Sequence, residues 1–156
     1  MKVASLKEIK TELQTLEQDQ LVELCIRLAK YKKENKELLN YLLFEAHDEQ
    51  NFIQENKVEI EEQFRSVPKG HAYYVKKTLR KILRFVNKQS KYSGQPQSEL
   101  ELRIFFCVQM KENKIPIHPG TVIFNLYQQQ VKKINALLEK LPEDLQYDYH
   151  QEITRM

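Results

Sequence analysis

Apolar residues recur three and four positions apart along most of the chain, the spacing of one face of an α-helix, and no stretch alternates as a strand would. Ser5 and Glu8 form a capping box, after which Leu6, Ile9, Leu13 and Leu16 mark the face of a first helix. Asp19 is expected to cap a second helix carrying Leu21, Leu24, Cys25, Leu28 and Tyr31. Val22, Ile26 and Ala29 widen that apolar arc, which predicts a mostly buried helix. A third helix is expected over about 35–44. Asp48 then caps a fourth over about 49–65, with Phe52, Ile53, Ile60 and Phe64 facing inward.

Ser66-Val67-Pro68-Lys69-Gly70 reads as a turn, because proline lacks an amide donor and glycine tolerates positive φ. A fifth helix follows over about 72–90, then a loop over 92–97. Ser98 and Glu101 read as a second capping box opening a sixth helix over about 99–112. That helix is apolar nearly all round, from Leu100 and Leu102 through Ile104, Phe105, Phe106, Cys107 and Val108 to Met110. Such a pattern predicts a central core helix or, alternatively, one shared between core and a subunit interface. Ile115 and Ile117 sit in a stiff Pro- and Gly-bearing loop and are expected to dock on the core. Thr121 starts a seventh helix reaching about Lys140, and Pro142 suits the first turn of an eighth.

These elements predict an all-α fold over 1–156, read as one domain: a bundle or a short helical-hairpin array of about eight helices. Composition agrees. Three glycines and five prolines in 156 residues are too few for a fold of many short strands and turns. A chain of this length buries roughly 70% of its unfolded surface, so neither disulfide nor metal is needed to hold a core. Cys25 and Cys107 each fall inside an apolar helical pattern and are expected as buried, reduced thiols of a cytoplasmic protein. The longest uninterrupted apolar run, Ile104–Val108, is far short of the ~20 residues of a membrane span. The first ten residues hold no signal-peptide core, and no membrane partner is expected.

The chemistry of the chain is read partly from what is missing. Glycines at 70, 94 and 120 are too far apart for a P-loop, a dinucleotide fingerprint or a nucleophile elbow. No C-x-x-C pair and no H-E-x-x-H spacing occurs, so no metal or cofactor is expected. His47-Asp48-Glu49 and Asp148 to Glu152 read as exposed polar residues at helix ends rather than as ligand sets.

One feature has a shape. Lys76, Lys77, Arg80, Lys81, Arg84, Lys88 and Lys91 lie between His71 and Tyr92 with no acid among them. At about 100° per residue they share one arc of about 140°, opposite Val75, Leu79, Ile82, Leu83 and Val86. Tyr73 falls within the arc; Tyr74, Phe85 and Tyr92 border it. A basic helical face beside aromatic rings suits a phosphate backbone with unpaired bases to stack. The competing reading is helix pairing. The fourth helix is acidic, with Glu45, Asp48, Glu49, Glu55, Glu59, Glu61 and Glu62 against Lys57, and its charges can meet those of the fifth across their seam. The net charge of +3, from 25 Lys and Arg against 22 Asp and Glu, does not decide between them.

Leu16-Glu17-Gln18-Asp19-Gln20-Leu21-Val22-Glu23-Leu24, continuing to Asn35-Lys36-Glu37-Leu38-Leu39, resembles the opening of a family of short, uncharacterised, all-helical bacterial proteins. The resemblance covers about the first third of the chain, implies a bacterial, cytosolic, all-α protein and carries no functional residue. The sequence thus reads as a non-catalytic protein-interaction or structural module, with a protein partner or self-association. A nucleic-acid binder using the fifth helix is the alternative, and a metal-dependent enzyme a distant third.

Overall fold

Eight α-helices and no strand form the chain in the computed structural model, which describes residues 1–156. They are α1 (Leu6–Thr15), α2 (Gln18–Tyr31), α3 (Lys33–Asn40), α4 (Glu49–Arg65), α5 (Ala72–Ser93), α6 (Pro96–Glu112), α7 (Val122–Leu138) and α8 (Glu143–Ile153). The all-α expectation holds, and so does the helix count. The chain divides into two compact units, residues 1–44 and 45–156. A π-helical turn, Tyr41–Glu45, spans the boundary, where the sequence shows no glycine- or proline-rich linker.

The 45–156 unit is built on α6, which packs against α4, α5 and α7. Leu100, Leu102, Ile104, Phe106, Cys107 and Met110 are all buried, so its all-round apolar pattern serves the core. The Phe106 and Phe64 rings meet at 5.4 Å. Val75, Leu79, Ile82, Leu83 and Val86 form the buried stripe of α5 as the periodicity predicts. Ile115 is buried and Ile117 packs against the core beside it. Gly94 ends α5 in the left-handed conformation at φ 65°, which a side chain would strain.

Several helix ends differ from the expectation. α6 begins at Pro96, before the proposed Ser98 box, because proline presets helical φ and its missing donor is harmless in a first turn. Ser98 and Glu101 work across helices instead. The Ser98 hydroxyl donates to Glu49 Oε1 of α4 at 2.5 Å, and Glu101 accepts from Lys57 and Tyr149. Pro142 precedes α8 rather than lying within its first turn. α2 starts at Gln18, ahead of Asp19, with the Glu17 amide donating to Gln20 Oε1.

The 1–44 unit overturns two expectations. α2 is not buried: no residue of α1, α2 or α3 is. Cys25 is exposed, whereas Cys107 is buried and free as expected. The reason is size. Apolar residues cover most of the circumference of α2, whereas α3 packs along only part of it and α1 makes at most marginal contact. Chains of about this length rarely bury a core of their own.

Candidate functional site

The 22-residue α5 lays its apolar stripe on the core and turns its basic residues outward. Lys77, Arg80, Lys81, Arg84 and Lys91 are exposed; Lys76 and Lys88 are half-buried. Three acids of α4 bond within their own helix rather than with this face. Glu61 pairs with Arg65 of its own helix, Glu59 accepts from Gln63, and Glu55 accepts from Asn51. Glu49 accepts from the hydroxyls of Ser93 and Ser98. Lys57, the cation expected among those acids, pairs with Glu101 of α6 at 2.9 Å. None of Lys76, Lys77, Arg80, Lys81, Arg84 or Lys91 forms an ion pair with a carboxylate. Lys88 is engaged within the fold and is set apart from them.

Aromatic rings gather at the start of the same helix. Lys76 Nζ sits 5.5 Å from the Tyr73 ring centroid, Tyr73 meets Tyr74 edge-on at 5.3 Å, and His71 lies 5.0 Å from Tyr74. Tyr73 and Tyr74 are both more than half exposed. Phe85 packs against the core and is not offered to a ligand. Beyond the helix start, a cleft of about 620 Å³ is lined by Phe64, Val67, Val75 and Ile115 together with Arg65, Lys69 and Lys114, and no carboxylate lines it.

A second surface lies in the 1–44 unit. Leu6, Ile9 and Leu13 of α1, Val22, Leu24, Ile26, Leu28 and Tyr31 of α2, Leu38 of α3, and then Leu42, Leu43 and Phe44 are all exposed. One groove of about 220 Å³ runs between α2 and α3, lined by Cys25, Leu28, Ala29, Asn35, Leu38, Leu39 and Leu42. Another, of about 590 Å³, has Ile26, Leu39, Leu43 and Phe44 on its walls and Lys30, Lys32, Lys33 and Lys36 around it.

No cluster of metal-ligating side chains accompanies these surfaces. Asp48 caps α4, with its carboxylate accepting from the Asn51 amide, and Glu49 is held by two serines, so the His47 cluster serves helix ends. No group of three His, Cys, Asp or Glu side chains converges. Burial pushes the Cys107 thiol up to about 12, with Arg103 pulling weakly the other way, so it stays protonated at neutral pH. Burial and the Glu101 carboxylate likewise push Tyr149 up.

Sequence reasoning missed Arg103, a cation inside the most apolar helix. It is 4% exposed. Its Nε and Nη2 donate to Glu99 Oε1 at 2.8 and 2.5 Å, Nη2 also to Asn87 Oδ1 of α5 at 2.8 Å, and Nη1 to Gln130 Oε1 of α7 at 2.8 Å. One guanidinium therefore ties three helices. The Glu99–Arg103 spacing of four was the legible signal; its partners on α5 and α7 were not.

No protein-family model, no curated protein and no solved structure matches the chain. No helix is long and apolar enough to cross a membrane.

Proposed function

We propose that this chain is a non-catalytic helical interaction module whose 1–44 unit supplies the docking surface. One observation carries this reading: α1, α2 and α3 bury no side chain, although each has an apolar face. Monomeric proteins rarely leave that much apolar surface bare unless it is used. Both cysteines are free, which supports a reducing, cytosolic setting. Nile red, an uncharged dye that fluoresces on apolar surface, tests the reading. In a dilute solution of the chain it brightens severalfold, and Leu28→Gln with Leu42→Gln, both at exposed positions of one groove, removes most of the signal. A dark solution in which the wild-type chain is monomeric sinks it.

A second ligand class is favoured by the six unpaired cations of α5. They support a phosphate backbone as partner, with Tyr73 and Tyr74 placed to stack on bases. Binding of generic single- and double-stranded RNA and DNA, read by fluorescence anisotropy across a salt series, is expected to weaken steeply. Six phosphate contacts give a log–log slope of roughly −4 to −5 and about a thousandfold loss between 50 and 200 mM salt. Lys77→Glu, Arg80→Glu and Arg84→Glu together abolish binding while circular dichroism shows the helices intact. No binding even at low salt assigns these cations to solubility.

A further inference from the structure

The occupant of the 1–44 surface is identified by its own charge pattern, and we infer that it is a second copy of this chain, docked antiparallel through the same unit. This inference rests on the interaction reading above. Between Ser5 and Leu24 lie two cations and five acids; between Cys25 and Phe44 lie five cations and two acids. The stretch 5–24 is thus acidic and 25–44 basic, and four lysines of the basic stretch line the larger groove, which shares Ala29 and Leu39 with the smaller one. A surface of that kind complements itself when turned end for end, which is what a two-fold interface requires, since each patch meets its counterpart on the other subunit.

The apolar area agrees. The exposed apolar side chains of α1, α2 and α3 together present on the order of 1,000 Å², close to the ~800 Å² that each partner contributes to a standard interface. The geometry also supplies a knob. α1 carries Leu6, Ile9 and Leu13 on one face, all exposed, and has no helix of its own unit packed fully against that face. The groove lined by Leu28, Leu38 and Leu42 is open to receive them. Reciprocal seating of α1 from each copy in that groove covers both surfaces at once.

Sedimentation equilibrium of the full chain tests this. The expected species at tens of micromolar has twice the 18.7 kDa chain mass. Leu28→Gln with Leu42→Gln returns it to a single chain. Glu12→Lys with Glu23→Lys weakens the dimer about tenfold, and adding Lys30→Glu with Lys36→Glu to the same chain recovers part of that loss, because the two halves are then again of opposite sign. A dimer indifferent to the groove variant, or a fourfold variant no tighter than the first charge pair, overturns the inference. So does a wild-type monomer at those concentrations. A monomer that still lights Nile red leaves the interaction reading standing with a different occupant, whereas a dark monomer removes both.

Discussion

Replacing Arg103 with alanine lowers the stability of the 45–156 unit by about 3 kcal/mol, read as a shifted urea midpoint followed by far-ultraviolet circular dichroism. The guanidinium is almost fully enclosed and uses its fork on three acceptors from three positions. Truncation strands Gln130 Oε1 at a residue only 3% exposed, and opens a gap between α5, α6 and α7. Glu99 is part-exposed and can regain water, which keeps the loss at the lower end for a broken buried pair. Arg103→Lys recovers only part of it, because one ammonium cannot span Asn87, Glu99 and Gln130 together. A loss under about 1 kcal/mol would show that this network does not hold the three helices in register.

Phe106→Ala costs about 4 kcal/mol, and Leu28→Ala under about 1 kcal/mol in dilute solution. The two side chains are similarly apolar and differ in surroundings. Phe106 is fully buried against Phe64 at the centre of the larger unit, so its loss leaves a cavity as well as forfeiting transfer energy. Leu28 is 54% exposed in the groove of α2 and α3, so little packing is lost. The contrast separates a side chain that holds the fold from one that is available for docking. Equal costs would mean that the 1–44 unit has a core of its own.

The presence and order of the helices were legible because a 3.6-residue apolar period is a local signal, whereas the third, expected over about 35–44, ends at Asn40 and passes into a π-helical turn. The boundaries of α4 and the stripe of α5 could be read directly, as could the caps at Ser5, Asp48 and Thr121. The seven basic positions of α5 were legible for the same reason: a shared arc is a property of one helix. Whether their charges were spent was not. That depended on α4 and α6, where Lys57 turns to Glu101, Glu55, Glu59 and Glu61 bond within their own helix, and Glu49 accepts from Ser93 and Ser98.

Burial was the least legible property. α2 and α6 carry similarly wide apolar arcs, and both were expected inside. α6 is enclosed because three long helices reach it; α2 stays open because α1 and α3 are short and cover little of it. Periodicity states which face of a helix seeks cover, and only the supply of neighbouring surface decides whether it finds any. Arg103 marks the same limit from the polar side, since a lone cation in an apolar helix is tolerable only where other helices bring it acceptors. The sequence by itself determined an all-helical chain, its element order, the caps at Ser5 and Asp48 and the charge pattern along each helix, all set by interactions within about four residues. Tertiary structure alone decided the division at residue 44, the exposure of α1, α2 and α3, the buried Arg103 network and the openness of the α5 cations, because each depends on contacts between segments far apart in the chain.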